Sequence, residues 1–270
     1  MASREWYLTS SSIKGLLLDI TGVLYNSGEG GGIPIKGSID AIARLSKAGI
    51  PVRFCTNETQ CTKQEIAGKL NRLGFSLNAA NIFPPAPAVR LVAKQRGLRP
   101  HLLVHPGVLP EFSDVPQDSP NCVVVGDAAQ EFSYENMNRA FQILMGMDKP
   151  ILISMGMGKY YKEGEHLVLD LGPFTKALEY ACDVKAEVVG KPSKMFFETA
   201  LRDMGITADE ALMIGDDIVS DVGGAQACGL RALQVRTGKY RPEDEPHETV
   251  TPDGYVDNLA QAVDLYLAHK

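Results

Sequence analysis

The sequence predicts an α/β protein, with a doubly wound parallel-sheet (Rossmann-like) core and a second α/β layer inserted into it. Three observations carry that expectation. Short apolar runs bounded by turn residues alternate with segments of helical periodicity along nearly the whole chain. The alternation breaks at Pro84, Pro85 and Pro87 and resumes its first pattern at Glu187-Val188-Val189-Gly190-Lys191-Pro192. Several apolar runs also stop abruptly at a polar residue, as strands do where an open sheet presents its carboxyl edge to a ligand crevice.

Leu16-Leu17-Leu18 ends in Asp19-Ile20-Thr21-Gly22-Val23-Leu24, a buried strand delivering a carboxylate to a glycine turn. The glycine-rich stretch 28–32 lacks the G-x-x-x-x-G-K-[ST] spacing of a phosphate loop and reads as a flexible hairpin or flap. Ser38 is expected to cap a helix with Ile39, Ile42 and Leu45 on its apolar face, closed by Gly49. Residues 50–55 form a second strand ending in Thr56-Asn57. Thr62 and Glu65 then make a capping box for a helix carrying Ile66, Leu70 and Leu73 as far as Gly74.

Beyond the prolines the strand candidates are residues 102–104, 122–125, 151–154 and 167–171. Ser193 is expected to cap a helix bearing Phe196, Phe197, Ala200, Leu201 and Met204, stopped by Gly205. Leu212-Met213-Ile214 is a short buried strand ending in Gly215-Asp216-Asp217; residues 230–235 form another, and a helix over 259–268 closes the chain. Residues 1–84 and 184–270 are thus expected to form the core, and residues 85–183 the insert.

At 270 residues the chain is long enough for one large core or two modest ones. A net charge of −6 and the absence of any Lys/Arg run argue against nucleic acid as a partner. The five cysteines are scattered and odd in number, which reads as free thiols in a reducing compartment. No apolar run is long enough to span a bilayer, and residues 1–12 hold no apolar signal segment. A cytoplasmic location without membrane partners is expected, with the nucleus as a second compartment.

Four strand ends deliver, in chain order, Asp19, Thr56, Lys191 and the Asp216-Asp217 pair, with Asp221 shortly after. Each type has a job in phosphoryl transfer, where positioning and charge neutralisation dominate. A carboxylate attacks phosphorus and forms an acyl phosphate. Two carboxylates sharing a site call for a cation between them, and a hard divalent ion such as Mg2+ takes oxygen ligands. A fixed lysine neutralises the transferring oxygens, while a threonine hydroxyl donates to them. Taken singly, each residue has a plain structural alternative: a strand-end turn for Asp216, an N-cap for Asp221, a solvated turn for Lys191, a helix start for Thr56. Four such turns with this set of residues together favour chemistry.

Response-regulator receiver domains use similar residues, but with the acidic pair first. Here D-x-T-G-V comes first and G-D-D-x-x-x-D last, an order that resembles the haloacid dehalogenase-like phosphatase superfamily. An insert between the Thr56 and Lys191 strands is similar to the NagD-like branch with a large α/β cap. F-C-T-N-E, F-S-Y-E-N-M-N, E-V-V-G-K-P-S, M-I-G-D-D-I-V and R-A-L-Q-V-R-T-G-K resemble members of that branch acting on P–N bonds and pyrophosphate.

The resemblance implies a hydrolase core with Asp19 as nucleophile and Mg2+ as cofactor. Asp19, the Thr21 carbonyl and Asp216 would hold the metal, with Asp217 and Asp221 orienting its waters. Asp19, Ile20, Thr21, Thr56, Asn57 and Lys191 would bind the phosphoryl group of small phosphorylated substrates or of phosphohistidine and phospholysine side chains. A homodimer paired through the cap is implied as well. Lys159 and Lys162 are basic candidates in the cap, with a solvated turn as their alternative reading. His105 and His166 read as structural.

Most phosphatases of the superfamily carry a second Asp two residues after the nucleophile, as acid for the leaving group and base for water. That position is Thr21, whose hydroxyl cannot do such work near neutral pH. The expected substrates are therefore those whose leaving group needs little enzymatic protonation, namely pyrophosphate and phosphoramidates. A phosphomonoesterase for small metabolites, or a phosphate-binding interaction protein with weak residual activity, are the alternatives.

Overall fold

The computed structural model describes residues 12–163 and 166–270. In chain order the elements begin with β1 (Gly15–Asp19), β2 (Tyr25–Asn26), β3 (Ile33–Pro34), α1 (Ser38–Lys47), β4 (Val52–Cys55), α2 (Lys63–Arg72) and β5 (Ile82–Phe83). Next come α3 (Pro85–Arg96), β6 (Pro100–Leu103), β7 (Cys122–Val125), α4 (Tyr134–Met145) and β8 (Leu152–Ser154). They are followed by β9 (Tyr160–Glu163), β10 (His166–Leu169), α5 (Leu171–Cys182) and β11 (Glu187–Val188). The chain ends with α6 (Lys194–Met204), β12 (Ala211–Gly215), α7 (Gly224–Ala227), β13 (Arg231–Val235), β14 (Gly254–Val256) and α8 (Leu259–Ala268).

Two compact units result. Among the described residues, the first contains residues 12–56, 66–83 and 191–270; the second contains residues 57–65 and 84–190. In the first unit six parallel strands run in the order β14-β13-β12-β1-β4-β5. From β1 the chain moves outward through β4 to β5, then returns for β12 and continues outward the other way. The order therefore reverses at β1, and a crevice at such a switch point is where open α/β sheets bind ligands. Strand β1 is buried along its whole length, which explains its unbroken apolar run. Helices α6 and α7 cover one face through Phe197, Ala200 and Ala225 against Leu17, Met213 and Ala232.

Helix starts differ from expectation at α1 and α6. Gly37, in the left-handed region at φ 82°, occupies the N-cap of α1, and the Ser38 hydroxyl instead donates to the Leu24 carbonyl at 2.8 Å. The capping box of α2 is present: Thr62 N donates to Glu65 Oε2 at 2.8 Å, and Glu65 N donates to Thr62 Oγ1 at 3.3 Å. Ser193 stands at the N-cap of α6 without a side-chain capping bond. The glycine-rich stretch lies between β2 and β3, which pair antiparallel as a hairpin.

The second unit is built on a parallel sheet of order β11-β8-β7-β6. Cys122 and Val124 of β7 face a core with Val89 and Val92, while Val123 and Val125 face another with Ala140, Leu144 and Leu178. Both faces of β7 are covered, so it too is apolar without alternation. Strands β9 and β10 form a separate antiparallel pair. Lys159 lies just before β9, and the Lys162 side chain falls outside the described residues.

Two expectations are corrected here. Residues 187–188 pair with Ile153 and Ser154 of β8, so they close the second sheet instead of resuming the first, and the second unit runs on to Gly190. Residues 167–171 are not one strand: β10 ends at Leu169, and Asp170 caps α5 by accepting from Leu171 N at 2.7 Å. Periodicity identifies a short apolar strand but carries no information on which parallel sheet it joins.

Candidate active site

Strands β1, β4 and β12 run side by side, with Asp19 opposite Cys55 and Leu18 opposite Ile214. Their carboxyl ends gather Asp19, Thr56, Asp216 and, from the segment after β11, Lys191 at one edge of the first unit. All four are buried, as is Asp221. Ile20 points into the core, whereas the Thr21 side chain is exposed. Thr56 N donates to the Phe83 carbonyl at 3.2 Å, which fixes the turn leaving β4. Asn57 belongs to the second unit, where its side chain lies beside Gly156 and Gly190.

The Lys191 ammonium donates to Asp19 Oδ1 at 2.5 Å and to the Cys55 carbonyl at 3.0 Å, and it lies 2.7 Å from Asp221 Oδ1. Burial works against its charged form, yet Asp19 and Asp221 outweigh that penalty and raise its pKa. The Cys55 thiol is pushed up to about 12 by burial, so it stays neutral and only its carbonyl serves the site.

Asp216 Oδ2 accepts from Lys239 N at 2.7 Å, and its own carbonyl accepts from Gln234 Nε2 at 3.2 Å. Gly22 (φ +89°) and Gly238 (φ +64°) flank it, and a Cβ at either would come within 2.1 Å of Asp216 Oδ2. Both turns therefore need glycine for conformation and for space. Asp217 caps the helical segment Ile218–Gly223, with Oδ1 accepting from Val219 N at 3.1 Å and Ser220 N at 2.9 Å. Its Oδ2 accepts from Lys239 Nζ at 3.1 Å. The N-cap therefore falls to Asp217, and Asp221 sits inside that segment with Oδ2 accepting from Asp217 N at 3.1 Å.

One ligand oxygen from each of Asp19, Asp216 and Asp221 lies within 4.8 Å of the others, a convergence of three buried carboxylates among the described residues. Burial, then Asp19 and Asp221, push the Asp216 carboxyl well above its ordinary range. Burial likewise pushes Asp221 up to about 7, against the pull of Lys191. Crowded anionic oxygens with too little positive charge among them fit a hard divalent cation. Lys239 went unassigned from the sequence, although its place after the Thr237-Gly238 turn was a usable signal. Burial opposes its charge, but Asp217 and Asp216 prevail and raise its pKa.

Residues 16–115 match the model of the haloacid dehalogenase-like hydrolases, and residues 188–262 match a HAD-hydrolase-like model. A Bos taurus relative named phospholysine phosphohistidine inorganic pyrophosphate phosphatase is 59% identical over 264 residues, covering 98% of both chains. The chain belongs to the haloacid dehalogenase-like hydrolase family. Two solved structures of similar proteins show the same fold. A 4-nitrophenylphosphatase from Thermotoga maritima matches with a TM-score of 0.87 at 22% identity, over 95% of this chain and 98% of that one. NagD from E. coli matches with a TM-score of 0.81 at 19% identity, over 92% of this chain and 98% of that one. The family is the one whose motif order the D-x-T-G-V start and G-D-D-x-x-x-D end resemble.

Proposed function

We propose that this hydrolase is a Mg2+-dependent phosphatase that cleaves the P–N bonds of phosphohistidine and phospholysine, and pyrophosphate, through an aspartyl phosphate on Asp19. The observation that carries the reading is the buried Lys191 ammonium, 2.5 Å from a carboxylate oxygen of Asp19 within the convergent acids. The substrate class is supported by the name of the Bos taurus relative. Asp19, Asp216 and Asp221 are the side chains that would hold Mg2+, which supplies Lewis-acid neutralisation of phosphoryl oxygens.

In the first step an Asp19 oxygen bonds to phosphorus as the bond to the leaving nitrogen or oxygen breaks, and the electron pair departs with that atom. The leaving group takes its proton from water. In the second step water attacks phosphorus, the bond between Asp19 and phosphorus breaks, and the carboxylate is restored as the water's proton passes to solvent. Lys191, bonded to Asp19 at 2.5 Å, holds that carboxylate in place and neutralises charge on the transferred group. Thr56 would donate its hydroxyl to that group.

Phosphate release from pyrophosphate, imidodiphosphate, a phosphohistidine peptide and an alkyl phosphate tests this reading. Chelation of divalent metal is expected to lower release roughly 100-fold, with recovery on adding Mg2+. Release that is indifferent to metal would reject the metal part. A second prediction concerns Thr21. Thr21→Asp is expected to raise alkyl phosphate turnover by roughly 100-fold, because it supplies a proton donor, and pyrophosphate turnover far less. Equal gains on both would discard the leaving-group argument. A homodimer belongs to the same reading, supported by the exposed Leu167 and Leu169 of β10; sedimentation at the monomer mass would remove it.

A further inference from the structure

Ile20 and Thr21 follow Asp19 just beyond the end of β1. Ile20 is 2% exposed and faces the core, whereas the Thr21 side chain is exposed. The Gly22 turn brings the chain back, with Gly22 N donating to the Tyr25 carbonyl at 2.8 Å. The Thr21 hydroxyl then lies 3.5 Å from Tyr25 Oη. The Tyr25 ring is buried, with its hydroxyl facing Thr21. From α2, Lys69 Nζ donates to the same hydroxyl at 2.9 Å and lies 4.7 Å from the ring centroid.

Lys69 is unusual in what it is bonded to. Lys191 and Lys239 each face carboxylates, and Lys14, Lys94, Lys176 and Lys194 are paired with acids. Among the described residues, the contacts shown for Lys69 are to the neutral phenol and its ring. Among the described residues no acid is paired with it, its head is anchored, and it stands one hydroxyl away from Thr21. Thr21 stands two residues after Asp19, where the phosphatases this chain resembles carry the acid for the leaving group.

We infer that Lys69, anchored by Tyr25, is a specificity-determining residue that binds an anionic second group of the substrate, so that the site favours diphosphates over monoesters with uncharged leaving ends. The inference rests on the phosphatase reading of Asp19 and deepens it. An anchored ammonium loses less side-chain freedom on binding than a free lysine does. It would attract the distal phosphate of pyrophosphate and offers nothing comparable to a nitrophenyl ring. The residue acts on binding, so its effect belongs in KM more than in kcat.

The test is steady-state kinetics of the full chain with Mg2+ on pyrophosphate and on 4-nitrophenyl phosphate, for the wild type, Lys69→Met, Lys69→Arg and Tyr25→Phe. Lys69→Met is expected to lower kcat/KM for pyrophosphate roughly tenfold, mainly through KM, and to lower it far less for 4-nitrophenyl phosphate. Lys69→Arg should recover most of the loss, and Tyr25→Phe, which removes the anchor but keeps the charge, should fall between. An equal loss on both substrates, or no loss on pyrophosphate, overturns the inference. Calorimetric titration of pyrophosphate into Asp19→Asn protein, with and without Lys69→Met, reads the same contact without turnover. There the expected weakening of Kd is again roughly tenfold, and an unchanged Kd overturns it. Wild type no more active than Asp19→Asn would instead reject the phosphatase reading, leaving the titration to judge Lys69.

Discussion

Asp19→Asn is expected to lower phosphate release from every substrate by roughly 10^4- to 10^6-fold, as loss of a nucleophile does in other covalent enzymes. An amide of the same shape cannot form the acyl phosphate. The fold should survive. Lys191 keeps Asp221 at 2.7 Å and the Cys55 carbonyl at 3.0 Å, and Asp216 loses a repelling neighbour. Melting by calorimetry within a few degrees of the wild type, together with abolished release, is therefore the expected pair of results. Undiminished release would show that Asp19 is not the nucleophile. A cellular effect that outlived the substitution would favour the binding-protein alternative.

The second large effect concerns Lys191. Lys191→Met removes the ammonium between Asp19 and Asp221 and leaves buried carboxylates facing one another. Breaking a buried pair in this way costs about 3–5 kcal/mol at neutral pH, and activity should disappear with the neutralising charge. The loss should depend on pH in a defined direction. Burial already pushes the Asp221 carboxyl up to about 7, with Lys191 restraining it. A carboxyl raised in the folded state contributes stability below its unfolded pKa, and that contribution is lost as pH rises through the folded pKa. Removing Lys191 pushes the folded pKa of Asp221 higher still. The melting-temperature gap between wild type and variant, in metal-free buffer, should thus widen from pH 5 to pH 8. A gap that narrows over that range would contradict the assigned charge balance.

The part of the site legible in the sequence is the part held by strand ends. Asp19, Lys191 and Asp216 each follow a short apolar run, so period and turn chemistry were enough to place them. Asp221 was legible as a member, but the structure gives it direct contact with Lys191 and a place among the converging acids. Lys239 had a usable signal in the turn before it, whereas Tyr25 and Lys69 were not legible. Tyr25 and Lys69 meet across 44 residues, through a hairpin and a helix whose packing no local pattern reports. The misplacement of Glu187–Val188 has a related cause. Strand β11 has only two residues, three positions before Lys191, and the two parallel sheets draw on the same apolar composition. Ser38 shows a local competition. Gly37 reaches the left-handed conformation without strain and takes the cap, freeing the serine hydroxyl for Leu24.

The measurement that bears most directly on the central claim is chemical trapping of the phosphorylated enzyme. Protein would be mixed with pyrophosphate or a phosphohistidine peptide and Mg2+, quenched in acid during turnover, reduced with borohydride and mapped by mass spectrometry. An acyl phosphate is reduced to the alcohol, so homoserine at position 19, absent without substrate and absent in Asp19→Asn, is the predicted result. Turnover with Asp19 unmodified, or homoserine at Asp216 or Asp221 instead, would contradict the assignment of the nucleophile.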